Sequence, residues 1–221
     1  MSTAVSEEAK RQVTLTFGGE CEILPNGVDV PSLAHGPIAP SSSPAIVFVG
    51  RHERRKGLEV LLDAFAGIER DAELWVIGDG PEQASLRARH VPRVQWLGRV
   101  TEEEKQACLR GATIACFPAL EGESFGVVLL EAMAAGTAVV ASDIDGYRTV
   151  ARSDREALLV PPGDVDLLRA GLRALLDDPA RRAAMVAEGA RRADEFSMEH
   201  LAERFLPLYE RAIAAPRPAV V

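Results

Sequence analysis

The chain has 221 residues, of which 47% are hydrophobic, and its 33 acidic and 25 basic residues give a formal net charge of −8 at pH 7. This length is enough to bury a substantial core, and the hydrophobic share excludes an intrinsically disordered chain. A net acidic protein is poorly suited to bind a phosphate backbone, so we expect no nucleic-acid partner. No apolar run reaches the roughly 18 residues of a membrane span, and residues 1–12 lack the apolar segment of a signal peptide.

The cysteines are too few and too scattered to predict a disulfide framework or a zinc site. They show no C-x-x-C spacing and lie at Cys21, Cys108 and Cys116. Unpaired cysteines are typical of a reducing compartment, so we expect a cytoplasmic protein that has no metal site.

From residue 45 onward, short apolar runs alternate with segments of helical periodicity. Strands that are apolar on both sides and alternate with helices form parallel sheets covered on both faces. We therefore predict an α/β fold, a Rossmann-like, doubly wound parallel sheet of about six strands with helices on both faces. The predicted strands are 45–50, 73–78, 94–98, 113–118, 137–142 and 157–160.

Helices are predicted between these strands and after the last of them. The helices between strands are 58–68, a polar helix around Ser85, a helix that begins at Glu102, and 126–135. Residues 164–214 are predicted to be helical, with a break at 177–182. A kink is predicted at Pro207, because proline interrupts the hydrogen bonds of a helix.

Residues 1–30 do not follow this alternation. They predict a helix with Ser6 as its N-cap, a strand, and a turn at Asn26 and Gly27. One helix and one strand cannot form a domain, so we interpret this segment as the remnant of a preceding N-terminal domain. The other predicted units are a linker at 31–44, the Rossmann-like domain at 45–214 and a disordered tail at 215–221.

The first candidate site follows the first predicted strand of the sheet, where ligands bind in open α/β folds. Residues 50–57 contain four basic side chains and one acidic one, a net charge of +3. Only three of the 25 basic residues are lysines, and Lys56 is one of them. Since an ammonium is not equivalent to a guanidinium, we interpret Arg51 and Lys56 as ligands of phosphate oxygens. A solvated basic loop is the alternative.

The second candidate site follows the fourth predicted strand, at residues 121–133. Ser124 is a typical N-cap and Gly126 permits close backbone approach, so an apolar helix is predicted to begin here. The unpaired N–H groups of Phe125, Gly126 and Val127 would then face the ligand crevice and bind an anion.

Glu131 lies inside this otherwise apolar helix. Because burial of a lone carboxylate is costly, its side chain requires a partner. A pair of ribose hydroxyls is one candidate partner, and a backbone N–H or an arginine is the other. Glu123 lies eight residues earlier, which is not the spacing of a metal-binding pair.

A third stretch, residues 97–105, follows the third predicted strand. The backbone of residues 98–101 would place polar groups against a nucleobase, although Thr101 followed by Glu104 is also an ordinary capping box. The motif DID at 143–145 resembles a metal-binding DxD motif, but its place after a strand and before glycine favours a turn.

These three strand ends, in this order, resemble the retaining glycosyltransferases of family four, which have the GT-B fold. The resemblance runs from ILPNGVD at 23–29, through VGRHERRKG at 49–57 and ESFGVVLLEAMAAGTAVVASD at 123–143, to the C-terminal helices. The Glu-x7-Glu pattern with SFG between is its most specific feature. Within the family, residues 122–150 are most similar to actinobacterial phosphatidylinositol mannosyltransferases.

The resemblance implies a role for each candidate residue. Arg51 and Lys56 would hold the diphosphate of a nucleotide-sugar donor, GDP-mannose or a UDP-sugar, and Glu123 would contact the donor sugar. These three are the candidate catalytic residues, and no cofactor or metal is implied. The implied substrate-binding residues are Ser124, Phe125, Gly126, Val127 and Glu131 at the sugar, phosphate and ribose, with Arg99, Val100 and Thr101 beside the base.

In the resembling family the acceptor binds to the first of two domains, so this chain is expected to be the C-terminal, donor-binding half. The implied partners are the donor and the missing N-terminal domain, and the chain alone is expected to be inactive. The protein would contact a membrane only through that domain or through a lipid acceptor. A peripheral location of the full-length enzyme at the inner membrane face therefore remains an alternative. Two alternatives remain: a non-catalytic nucleotide-sugar or phosphate-binding module, and a GT-B sugar-nucleotide epimerase.

Overall fold

The structure of the protein is a computed structural model that describes residues 2–214. The tail predicted at 215–221 lies outside the described residues. The described range contains eight β-strands and ten α-helices. Within it, no helix combines the length and the apolar character that crossing a membrane requires.

The N-terminal residues form a small β-α-β unit. Strands β1 (Ser2–Ala4) and β2 (Cys21–Ile23) pair in parallel, and helix α1 (Glu7–Phe17) connects them. As predicted, Ser6 caps α1, because its side chain accepts a hydrogen bond from the N–H of Ala9. The sequence pattern does not predict β1, since a strand of three residues is too short to show a period.

The stretch predicted as a linker begins with a short helix, α2 (Val30–Ala34). Asp29 caps it by accepting a hydrogen bond from the N–H of Ser32, and Pro31 lies in its first turn. Leu33 is buried in the main core, which ties the helix to the larger domain. Only residues 35–44 of the predicted linker lack helix and strand.

Six parallel strands form the main sheet, which confirms the predicted fold class. They are β3 (Ala45–Val49), β4 (Glu73–Ile77), β5 (Val94–Gly98), β6 (Ile114–Phe117), β7 (Ala138–Ser142) and β8 (Leu158–Val160). Their order across the sheet is β5-β4-β3-β6-β7-β8, so the direction of winding reverses between β3 and β6. Ligands of doubly wound sheets bind beyond the carboxyl ends of the strands at such a reversal.

Helices cover both faces of this sheet, and alternate residues of each strand point to opposite faces. In β3, Ile46 and Phe48 belong to one core, whereas Ala45 and Val47 belong to the other. The helices are α3 (Leu58–Ala66), α4 (Gln83–Arg87), α5 (Glu102–Gly111), α6 (Val127–Ala134), α7 (Asp145–Arg148), α8 (Val165–Asp177), α9 (Pro179–Asp194) and α10 (Met198–Ala214).

The last helix is anchored to the N-terminal segment. The N–H of Val28 donates to the carbonyl of Phe196 at 3.0 Å, and the N–H of Met198 donates to the carbonyl of Val28 at 3.1 Å. The predicted break between α8 and α9 is confirmed, with Pro179 as the first residue of α9. Helix α10 continues beyond Pro207 to its end at residue 214, so the kink remains a prediction.

Candidate functional site

Two loops meet where the winding of the sheet reverses. Residues 50–57 follow β3 and residues 118–126 follow β6, and these two strands are neighbours in the sheet. A cleft of about 420 Å³ lies between the loops. The first two candidate sites, which are far apart in the chain, therefore line one cavity.

A glycine allows the two loops to touch. Gly57 has a φ of +67°, and a Cβ atom at this position would overlap the carbonyl oxygen of Pro118. The N–H of Leu120 donates to the carbonyl of Arg55 at 2.8 Å. These backbone contacts fix the position of one loop against the other, and with it the position of their side chains.

Lys56 and Glu123 form an ion pair between the loops. Lys56 Nζ lies 2.5 Å from Glu123 Oε1, and Arg55 Nη1 lies 3.1 Å from the same oxygen. The Glu123 and Lys56 side chains are 13% and 20% exposed, so solvent screens the pair only weakly. Within residues 2–214 the second oxygen of Glu123 accepts no hydrogen bond, which leaves it free for a ligand. Arg55 anchors Glu123, although no sequence pattern predicts an individual role for Arg55.

Arg51 lies at the mouth of the same cleft and is held loosely. Its side chain is 70% exposed, and its ion-pair partner among the described residues, Glu53, lies 3.6 Å away. Glu53 contacts Arg55 more closely, at 2.7 Å. The Arg51 guanidinium therefore keeps donors for an anionic ligand.

The N-terminus of α6 faces the cleft, but Ser124 does not cap it, so that part of the prediction is wrong. The helix begins at Val127, and the N-cap is Gly126 with a φ of +107° and no side-chain cap. The carbonyl of Ser124 instead accepts a hydrogen bond from the hydroxyl of Ser6, at 2.5 Å. In the described part of the chain, the N–H groups of Phe125, Gly126 and Val127 have no protein acceptor. They remain available to an anion.

Helix α6 also carries Glu131 to the cleft, where its partner is Lys105 of α5. Lys105 Nζ lies 3.0 Å from Glu131 Oε1, and the two side chains are 16% and 20% exposed. The partners expected for Glu131 from the sequence were ribose, a backbone N–H or an arginine, and a lysine was not among them. The rarity of lysine is the signal that could have found it, because Lys56 and Lys105 each contact one glutamate of the Glu-x7-Glu pattern.

The third candidate stretch lies apart from this cleft. Arg99 is 81% exposed and pairs with Asp79 at 2.6 Å. Thr101 forms a capping box with Glu104 at the start of α5, which is the alternative that the sequence left open. Arg99, Val100 and Thr101 follow β5, the edge strand, and none of them lines the cleft.

A match to a family model decides what kind of protein this is. Residues 43–178 match the model described as "Glycosyl transferases group 1". The chain belongs to this family.

Related group 1 glycosyltransferases include a phosphatidyl-myo-inositol mannosyltransferase of Mycobacterium leprae. The two sequences are 40% identical over 217 residues, which cover 94% of this chain and 58% of that protein. The chain therefore spans little more than half the length of this relative.

Solved glycosyltransferase structures share the fold. Sucrose-phosphate synthase from Thermosynechococcus elongatus has a TM-score of 0.84 and 28% identity, over 97% of this chain and 58% of that one. Anabaena HepE in complex with UDP-glucose also has a TM-score of 0.84, with 19% identity over 95% of this chain and 63% of that one. The GT-B assignment of the α/β sheet is thereby confirmed.

In this glycosyltransferase chain, the DID motif binds an arginine. Arg148 Nε lies 2.6 Å from Asp143 Oδ1, and Arg148 also contacts Asp145 at 3.3 Å. The hydrogen bond from Arg148 lowers the pKa of Asp143. Among residues 2–214, no three potential metal ligands lie close enough together to hold an ion.

His52, beside Arg51, is fully buried. Its ring packs edge-on against Trp96, with centroids 5.7 Å apart, and lies 6.3 Å from the ring of Phe48. Neither ring nitrogen has a hydrogen-bond partner among the described residues. Burial lowers the pKa of His52, and the nearby Asp79 carboxylate offsets this only in part.

Stability is expected to fall in mild acid through His52. Because its pKa is lower in the folded chain than the ordinary 6.5, the unfolded chain binds the proton more tightly. At a pH above the pKa of His52 in the unfolded chain, His52 does not reduce the free energy of unfolding. As the pH falls below that pKa, the free energy of unfolding decreases by at most about 1.4 kcal/mol per pH unit. Urea unfolding at about pH 7.5 and about pH 5.5 measures this loss.

The His52→Leu variant should lose less stability than the parent over the same interval, because leucine cannot be protonated. The exposed His35 provides the control, and His35→Gln should keep the full loss. Equal acid sensitivity in the parent and in His52→Leu would rule out His52 as the cause.

Proposed function

We propose that the chain is the donor-binding domain of a retaining hexosyltransferase of family four. The longer enzyme would transfer a hexose from GDP-mannose or a UDP-sugar to an acceptor on a preceding domain. The observation that carries this proposal is the ion pair between Lys56 and Glu123 at the reversal of the sheet. It places a cation and a carboxylate with one free oxygen in the same cleft, as a donor with an anionic diphosphate and a neutral sugar requires.

The cationic side of the cleft would hold the donor diphosphate. Arg51 and Lys56 stabilise the negative charge that grows on the diphosphate as the glycosidic bond breaks. This interaction is stronger in the transition state than in the ground state, so it accelerates the reaction. The free N–H groups at residues 125–127 add the positive end of the α6 dipole. The departing diphosphate would assist the acceptor from the same face of the sugar, which retains its configuration.

The carboxylates would hold the neutral parts of the donor. Glu123, anchored through Oε1, offers its second oxygen to the sugar hydroxyls, beside the backbone of Ser124. Glu131 offers its second oxygen to the ribose in the same way. The stretch from Arg99 to Thr101 would border the base at the far side of the ribose, outside the diphosphate cleft.

The domain assignment follows from this function. Residues 1–30 would be the end of the acceptor domain, 31–44 the connection, and 45–214 the donor domain. The mannosyltransferase relative from Mycobacterium leprae, named for a lipid substrate, supports a lipid acceptor and a peripheral position at the inner membrane face. A cytoplasmic location is supported by three free, buried cysteines.

Calorimetric titration of the 221-residue chain tests the proposal. GDP-mannose, UDP-glucose and UDP-N-acetylglucosamine are added separately, with guanosine and uridine as controls that lack the diphosphate. We expect one donor to bind with a Kd on the order of 0.1 mM and its nucleoside to bind far more weakly. Little transfer is expected, because the acceptor would bind elsewhere. Absence of binding by all three donors and by GDP and UDP would contradict the proposal.

A further inference from the structure

Glu131 is held by one of its two oxygens only. Lys105 Nζ contacts Oε1 at 3.0 Å, and within residues 2–214 no group donates to Oε2. Glu131 lines the cleft beside Lys56 and Glu123. One carboxylate oxygen is thus fixed by the protein while the other remains able to accept hydrogen bonds.

The cost of burial explains why such a contact is needed. Apart from Glu131, helix α6 contains apolar residues only, and a carboxylate there has no neighbour on its own helix to neutralise it. Lys105 supplies the opposite charge from α5. Burial disfavours the ammonium, but the carboxylates of Glu131 and Glu102 outweigh that effect and raise the pKa of Lys105. Lys105 therefore remains charged at neutral pH.

Lys105 also lies where two parts of the proposed nucleotide site meet. It is in the first turn of α5, and its N–H donates to the carbonyl of Thr101 at 3.0 Å. Thr101 ends the stretch proposed to border the base, whereas Glu131 is proposed to bind the ribose. The backbone of Lys105 thus adjoins the first part of the site, and its side chain contacts the second.

We infer that Lys105 is a positioning residue that orients Glu131 so that its free oxygen accepts hydrogen bonds from the ribose hydroxyls. Lys105 does not contact the nucleotide itself. It nevertheless determines how strongly the site prefers a ribonucleotide to a deoxyribonucleotide. This inference rests on the proposed function, in which Glu131 binds the ribose.

The test is the ratio of two affinities in the full chain. GDP and 2′-deoxy-GDP, and likewise UDP and 2′-deoxy-UDP, are titrated into the parent and into Lys105→Met, which keeps an unbranched side chain one atom shorter and removes its charge. We expect the affinity for the ribonucleotide to fall by about tenfold, the loss of one hydrogen bond to a charged group. The affinity for the deoxynucleotide should fall less, so the ratio should approach one. The affinity for inorganic pyrophosphate should also fall less than that for the ribonucleotide, because Glu131 is proposed to face the ribose and not the diphosphate.

Three further variants separate positioning from a general effect of charge or stability. Lys10→Met removes a lysine from α1, outside the cleft, and should leave the ratio unchanged. Lys105→Arg keeps the charge and should restore part of the preference. The double variant Lys105→Met with Glu131→Gln should match Glu131→Gln alone, because Lys105 acts through Glu131.

The outcomes distinguish this inference from the function on which it rests. If the parent prefers the ribonucleotide and Lys105→Met keeps the same ratio, Lys105 does not position Glu131. If pyrophosphate affinity falls as much as nucleotide affinity, Lys105 acts on the whole cleft and the inference is also overturned. If the parent shows no preference, or binds no nucleotide, the assignment of Glu131 to the ribose fails and the inference fails with it.

Discussion

Replacing Lys56 with methionine is expected to lower the affinity of the chain for GDP or UDP by about a hundredfold, or about 2.7 kcal/mol. The variant removes the ammonium proposed to contact the diphosphate. It also leaves the carboxylate of Glu123 in the cleft with only Arg55 as counter-ion, so an incoming diphosphate meets an incompletely neutralised negative charge. The nucleoside should bind as it does to the parent. Calorimetric titration with the nucleotide and with the nucleoside measures both effects.

Two variants test whether this loss is local. Arg54 lies in the same loop, is exposed and does not line the cleft, so Arg54→Met removes the same charge and should cost little. Glu123→Gln removes the carboxylate that Lys56 and Arg55 share, and it should maintain or raise the affinity for the diphosphate. Equal losses for nucleotide and nucleoside in Lys56→Met would remove Lys56 from the phosphate site.

Replacing Gly146 with alanine is expected to lower the free energy of unfolding by about 3 kcal/mol and to weaken nucleotide binding. Gly146 lies in the short helix α7, where alanine would ordinarily be favourable by about 1 kcal/mol. Here the added Cβ would overlap the carbonyl oxygen of Glu123 and approach the N–H of Phe125 to 3.2 Å. The loop that carries Glu123 would have to shift. Urea unfolding and nucleotide titration measure the two losses.

The control for this variant is a glycine with free space around it. Gly136 has a φ of +78° and no atom within 4 Å of a Cβ built there, so Gly136→Ala should cost only the strain of a left-handed backbone, about 1 kcal/mol. It should not affect nucleotide binding. If Gly146→Ala is as stable as Gly136→Ala and binds the nucleotide with unchanged affinity, the loop that carries Glu123 accommodates the added Cβ without a loss of stability.

The architecture could be predicted because the sequence patterns that indicate it are local and recur along the chain. The alternation of apolar runs with helical periods predicts six parallel strands, and each run is a strand of the main sheet, although the edge strand β5 is partly exposed. Elements of a few residues were not predictable in this way. Strand β1 has three residues, and helix α2 was hidden in a stretch whose prolines and serines are typical of a loop.

The cap of α6 shows how a local rule can mislead at a site. Serine is a good N-cap, and the sequence places Ser124 where a cap would be expected. The left-handed Gly126 lets the helix begin at Val127, so the serine lies too early to act as the cap. The carbonyl of Ser124 instead accepts a hydrogen bond from Ser6, a residue distant in sequence. No local pattern carries that information.

By itself, the sequence determined the fold class, the family and the two loops that carry the candidate residues, because these depend on periodicity and on motifs within single segments. Only the tertiary structure decided which of those residues share a cleft and which charges they face. Lys56 meets Glu123, and Lys105 meets Glu131, across the boundary between separate elements. Such pairs depend on the order of strands in the sheet and on the packing of α5 against α6. The spacing of residues within one segment specifies neither, because both depend on contacts between segments that are distant in sequence.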